Sequence, residues 1–207
     1  MNIVEIPHPV LFLISAPSGA GKTTLCQRLL KECPTLKYSV SSTTRAPRTG
    51  EVDGVDYDFL SREDYDRHVA AGKFLECAEV HGNGYGTRLE TVHRFFNEGY
   101  SVLLDVDVQG AEHIRRNLQQ PGMDPLMRKS FVDLFLSPPS LESLRDRLEG
   151  RGQDSAEVIE QRLKNAATEI AEASRYQYQV VNDNLEKAYR ELRSVYIAST
   201  LRTLVLK

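Results

Sequence analysis

Residues 10–23 read Val10-Leu-Phe-Leu-Ile14-Ser15-Ala16-Pro17-Ser18-Gly19-Ala20-Gly21-Lys22-Thr23. Five apolar residues in a row, closed by a glycine-rich turn, predict a buried strand over Val10–Ile14. The turn then opens a helix predicted over Lys22–Glu32, with Leu25, Leu29 and Leu30 turned inward. In such a loop successive backbone N–H groups can converge on one anion, and the helix adds its positive amino end. Lys22 brings a mobile charge to the outer phosphates of a nucleoside triphosphate, and Thr23, with Thr24 behind it, offers a hydroxyl to Mg²⁺. The strict pattern G-x-x-x-x-G-K-[ST] has glycine where this chain has Ala16. Alanine, the smallest residue with a Cβ, fits there if φ stays negative. Ala16, Pro17, Ser18, Gly19, Ala20, Gly21, Lys22, Thr23 and Thr24 are therefore the expected triphosphate-binding set.

Working outward, strands and helices alternate. Helices are expected over 61–71 (Ser61 and Asp64 as cap, Gly72 as stop), 89–98, 109–119 and 141–149. Strands are expected at Tyr38–Val40, Val55–Leu60, Val102–Val106, Phe131–Leu136 and Tyr178–Val181. Asp154 is expected to cap one long helix and Asp183 the last, whose Leu185, Ala188, Tyr189, Leu192, Val195 and Tyr196 recur at helical spacing and read as core. Residues 119–130, with two prolines and a glycine, read as loop. The alternation implies an α/β fold, a parallel sheet flanked by helices of the phosphate-loop type, with ligands at the carboxyl ends of the strands. The stretch 45–88 breaks the pattern and reads as a small inserted lobe.

The chain has 207 residues, enough for one good core with small appended lobes. Its net charge of −3 gives no basic field for nucleic acid or an anionic membrane. The three cysteines, Cys26, Cys33 and Cys77, form no C-x-x-C pair, so disulfides and a structural zinc are poor readings and a reducing cytoplasm fits. The acids between Glu51 and Asp66 read as a solvated face rather than a metal site. Nothing in the pattern selects or excludes a homo-oligomer.

A second constellation follows. Residues 39–48 run Ser-Val-Ser-Ser-Thr-Thr-Arg-Ala-Pro-Arg, and Gly54-Val-Asp-Tyr57 comes next. Two arginines three apart can clasp one dianion with forked donors, although an isolated R-x-x-R is also an ordinary surface turn. Glu76 in Phe74-Leu-Glu76 and Tyr85-Gly86-Thr87 add a carboxylate, a phenol and a hydroxyl.

These pieces together resemble the guanylate kinase family. Its order of motifs is S-x-S-x-T-T-R-x-P-R, G-x-x-Y-x-F, F-x-E, a glycine-flanked Tyr-Gly-Ser/Thr, D-x-D-x-Q-G and R-L-x-x-R-G. The chain supplies them at 39–48, 54–59, 74–76, 84–87, 105–110 and 147–152. The resemblance implies direct transfer of the γ-phosphoryl group from ATP to GMP with Mg²⁺. It implies that Arg45, Arg48, Tyr57 and Tyr85 hold the GMP phosphate, while Ser41, Glu76, Gly86, Thr87 and Asp107 face the guanine side. Asp105 resembles the acid that steadies Mg²⁺, directly or through water. Arg147, Arg151 and Arg162 fall on a lid, where one or more reach the transferring phosphoryl group; each could equally form a surface ion pair. Asn182 resembles the adenine-side contact. The implied division is a domain over 8–190, with core at 8–44, 89–146 and 173–207, a GMP lobe at 45–88 and a lid at 147–172.

Two rival readings remain. Scaffold proteins carry guanylate-kinase-like domains that bind phosphopeptides, but they lack a working phosphate loop. A kinase for a sugar phosphate would have no use for Ser41, Glu76 and Thr87. The base assignment also stands on chemistry: guanine offers N1–H and an amine side by side to one carboxylate, and adenine does not.

Overall fold

A computed structural model describes residues 8–80, 82–150, 152 and 154–204. At its centre lies β1 (Leu11–Ser15), buried at all five positions. It pairs in parallel with β7 (Ser101–Asp105) on one side and β8 (Phe131–Ser137) on the other. Edge strands β2 (Leu36–Tyr38) and β9 (Tyr178–Val181) complete the order β2-β7-β1-β8-β9. A strand buried on both faces needs apolar residues at every position, and that is why 10–14 is continuous rather than alternating.

The two-residue period divides the core. Phe12 and Ile14 face α1 (Lys22–Glu32) and α8 (Leu185–Thr200), meeting Leu25, Leu29, Tyr189 and Leu192. Leu11 and Leu13 face the other way, where α3 (Leu89–Asn97) and α4 (Val108–Leu118) bring Val92, Phe96 and Ile114. A separate small cluster, with Leu144, Leu148, Ile159 and Leu163, joins α6 (Leu141–Glu149) to α7 (Ala156–Ala171).

The break in alternation after residue 40 corresponds to a second sheet of order β4-β3-β6-β5. Its strands are β3 (Ser42–Thr43), β4 (Asp58–Phe59), β5 (Phe74–Val80) and β6 (Asn83–Arg88). Helix α2 (Arg62–Ala70) starts at Ser61, whose side chain accepts from the Asp64 amide as the sequence implied.

Five expectations are corrected. The strand expected over Tyr38–Val40 lies instead at Leu36–Tyr38. Strand structure in 55–60 is confined to Asp58–Phe59, because residues 50–57 turn sharply and leave Val52 and Val55 56% and 64% exposed. Helix α7 is capped by Ser155, which accepts from the Val158 amide; Asp154 instead pairs with Arg162 at 3.0 Å. Helix α8 is capped by Asn184 rather than Asp183. Within the expected loop 119–130, Pro125–Lys129 forms the short helix α5, with Asp124 as cap. Proline at the first helical position costs no hydrogen bond, so Asp-Pro was a helix start as much as a loop signal. The three cysteines are free. Among the described residues no helix is long and apolar enough to cross a membrane.

Candidate functional site

Parallel sheets open a ligand crevice at the carboxyl ends of their strands, here those of β1 and β7. The first cleft, of about 380 Å³, is lined by Ala16 to Gly19 and Gly21 to Thr24, with Asp107 and Glu169 also on its wall. Its loop is fixed by its backbone. Gly21 precedes α1 at φ 96°, a conformation costly for any residue with a side chain. A Cβ there would also stand 2.5 Å from Nδ2 of Asn182. That amide donates to the Ala20 carbonyl at 2.8 Å and so pins the loop to the end of β9. Ala16, where the strict pattern has glycine, is 8% exposed and its methyl packs into the core, so the substitution is absorbed.

Lys22 forms an ion pair with Asp105 at the tip of β7. Glu169, on α7, was not singled out from the sequence. Burial raises its carboxyl above the usual range, and nearby Asp107 adds to this while Lys22 opposes it. Beside this cleft, Gly19, Gly21, Arg147, Gly150, Asn182 and Leu185 line an open hollow of about 400 Å³. Arg147 donates to the Asn182 carbonyl there at 2.7 Å. Arg162 is engaged by Asp154 and does not line the first cleft. Arg151 lies outside the described residues.

The second cleft, of about 310 Å³, is lined by Ser41, Tyr57, Glu76, Tyr85, Gly86, Asp105, Asp107 and Gly110 among others. Its centre is the cross-strand pair Glu76–Thr87 of β5 and β6. The register shifts between Phe74 and Glu76, so Leu75 packs fully buried in the core. Glu76 is only 6% exposed and accepts from the Thr87 hydroxyl at 2.7 Å. Burial pushes its carboxyl up to about 7, the Thr87 hydroxyl opposes this, and the Asp107 charge adds to it. A Cβ at Gly86 would meet the Phe74 ring at 2.8 Å and the Glu76 carbonyl at 3.0 Å, so glycine lets the strands close here. Asp107 caps α4 by accepting from the Gly110 amide at 2.8 Å, and it lines both clefts.

Of the expected phosphate group, Arg45, Tyr57 and Tyr85 come together. The Arg45 guanidinium lies 5.3 Å from the Tyr57 ring centre, and the Tyr57 and Tyr85 rings meet edge-on at 6.1 Å. Arg48 is exposed and enters through its backbone: its amide donates to Glu51 Oε2 at 2.8 Å. Glu51 itself was read as part of a solvated acidic face; it pairs with Arg45 at 2.9 Å.

Among the described residues no three His, Cys, Asp or Glu side chains are grouped as a metal site. A Mg²⁺ ion carried by nucleotide phosphates needs few protein ligands, and the Thr23 hydroxyl and Asp105 carboxylate suit that lighter role.

A phosphate loop on a parallel sheet, beside a second pocket with a buried carboxylate, defines a protein of the phosphate-loop nucleotide-binding class. A sequence model of the guanylate kinase family matches residues 9–199. A guanylate kinase from Nitratidesulfovibrio vulgaris is 50% identical over 192 residues, covering 93% of this chain and 88% of that one. One from Geobacter sulfurreducens is 46% identical over 194 residues, covering 94% and 91%. The crystal structure of guanylate kinase from Anaplasma phagocytophilum, 33% identical, aligns with a TM-score of 0.73 over 95% of this chain and 89% of that one. The chain belongs to the guanylate kinase family, the ATP:GMP phosphotransferases among the nucleoside monophosphate kinases.

Proposed function

We propose that the first cleft binds ATP, the second binds GMP, and the two phosphate tails meet near Asp105. The observation that carries this is the wall the clefts share: Asp107 lines both, and Asp105, which lines the second, pairs with Lys22 of the first. In this reading the amides of 16–24 cradle the donor phosphates, and Lys22 follows the γ-phosphoryl group as charge spreads over its oxygens. Thr23 and Asp105 hold Mg²⁺, which neutralises phosphate charge when bound. Asn182 and Arg147 border the adenine side. Arg151 and Arg162 belong to a lid over 147–172 that reaches the transferring group on closure and excludes water.

On the acceptor side Arg45, Arg48, Tyr57 and Tyr85 hold the phosphate, and Ser41, Glu76, Gly86, Thr87 and Asp107 take the base. In this reading dGMP is a second acceptor. The lobe at 45–88 is then the GMP lobe, and the cell's use of the product is GTP supply in the cytoplasm. A coupled assay of ADP release tests the reading. Turnover is expected with GMP and dGMP, and at least about 10⁴-fold less with AMP, because a site built on polar matching leaves Glu76 unpaired against adenine. Equal rates with AMP would overturn the acceptor assignment.

A further inference from the structure

Both oxygens of Glu51 are committed in a manner that suits an anion in an anion site. Oε1 accepts from Arg45 Nη2 at 2.9 Å, and Oε2 accepts from the Arg48 backbone amide at 2.8 Å. The Tyr85 phenol lies within hydrogen-bonding reach of the same guanidinium, and the Tyr57 ring stands beside it. The Arg45 and Glu51 side chains are 15% and 19% exposed, so the pair is largely shielded from water. Glu51 nevertheless belongs to a surface turn rather than to the core. Gly50 precedes it at φ 90°, and residues 52–56 are exposed. The carboxylate can therefore leave Arg45 without unpacking anything.

We propose that Glu51 is a specificity-determining residue for the acceptor: a tethered counter-anion that competes for Arg45 and yields it only to a phosphate whose base is already engaged. This rests on the reading of Arg45 as a phosphate ligand. A tethered carboxylate competes at a high effective concentration, so a free anion must bind well to displace it. GMP anchored through its guanine at Glu76 is tethered as well, and meets Glu51 on equal terms. Inorganic phosphate and phosphates on the wrong base carry no such anchor. Glu51 thus raises the ratio between the affinity for GMP and that for bare phosphate.

The test is Glu51→Gln, which keeps an acceptor oxygen for Arg45 and removes the charge. With inorganic phosphate as competitor against GMP, its inhibition constant is expected to fall about tenfold, while KM for GMP falls less, because only the unanchored anion lacked a compensating tether. The change belongs in KM and in the phosphate inhibition constant rather than in kcat. Glu51→Asp, which keeps the charge, is expected to return the phosphate constant to near the wild-type value. An unchanged or higher phosphate constant in Glu51→Gln, or identical behaviour of the Gln and Asp variants, overturns the proposal. Arg45→Ala separates the two levels. If it raises KM for GMP while Glu51→Gln leaves phosphate inhibition unaltered, only the role of Glu51 falls. If it leaves KM unaltered, the phosphate assignment falls and the proposal with it.

Discussion

The two clefts share a wall but are made of different material. The donor cleft is mostly backbone: a loop of nine residues, two of them glycines at φ 93° and 96°, held by one amide from the end of β9. The acceptor cleft is mostly side chains, assembled from segments spread over residues 41–107, with Ser41 beside β3, Glu76 on β5, Thr87 on β6 and Asp107 at the start of α4. Backbone donors recognise what all triphosphates have in common. Side chains placed by cross-strand register can be matched to one base edge. Selectivity should therefore fail on the acceptor side, and rate on the donor side.

Lys22→Ala gives the sharpest break. Positioned charge on a transferring phosphoryl group is worth on the order of 10³ in rate, so kcat should fall about that far. GMP binding, measured by calorimetry, should change by less than about threefold, since the acceptor cleft keeps its side chains. A comparable loss of both would erase the division. Glu76→Gln is the counterpart. It removes an acceptor matched to two guanine donors and should weaken GMP binding by about 1–3 kcal/mol, roughly 5- to 150-fold, with ATP binding unchanged. Unaltered discrimination between GMP and AMP would remove Glu76 from base reading.

Two glycine substitutions ask the same question of the scaffold. Gly21→Ala forces a side chain into a left-handed conformation and against Asn182, and should cost about 1–3 kcal/mol, felt mainly as lost ATP affinity. Gly86→Ala drives a methyl between the Phe74 ring and the Glu76 carbonyl, and should cost a similar 1–3 kcal/mol, felt as a raised KM for GMP. Thermal melts with each nucleotide check both; crossed effects would show that the clefts are one cooperative unit.

The same contrast explains what could be read from the chain alone. The phosphate loop is local: strand, turn, lysine, hydroxyl and helix follow one another in 14 residues, and α1 begins and ends at Lys22 and Glu32 as expected. Most helix and strand centres elsewhere followed from their periods, because burial on one or both faces dictates them; the short edge strand Leu36–Tyr38, expected two residues later, did not. What failed was local chemistry with close competitors. Asp154 and Asp183 stand one residue before serine and asparagine that cap equally well, and both aspartates found other partners, Arg162 and Lys187. Residues 50–57 carry alternating apolar and acidic residues without a sheet to receive them. The roles of Glu51 and Glu169 depend on contacts across 6 and more than 60 residues of sequence, which no periodicity encodes. Motif order located Glu76, yet its burial and its bond to Thr87 emerged only from the pairing of β5 with β6.

The pH dependence of GMP binding is in some ways the most discriminating. Burial holds the Glu76 carboxyl near 7, against an ordinary value of 4.5. Guanine offers two donors and needs the ionised form, so GMP must bind the deprotonated protein. Its affinity should therefore fall toward tenfold for each pH unit below about 7 and level off above it. The second ionisation of the GMP phosphate, near 6, adds a slope of its own, and Glu76→Gln retains only that part. The wild-type curve minus the variant curve thus isolates Glu76. Stability moves the opposite way. Between 4.5 and about 7 the unfolded chain has lost this proton while the folded chain keeps it, so the folded state binds more protons and stability falls as pH rises through that window. ATP affinity should lack the Glu76 component, so its pH dependence, set by ATP's own terminal phosphate and the groups of the first cleft, should be the same in wild type and Glu76→Gln. A wild-type GMP curve that overlays the Gln variant would mean that the carboxylate does not meet the base at all.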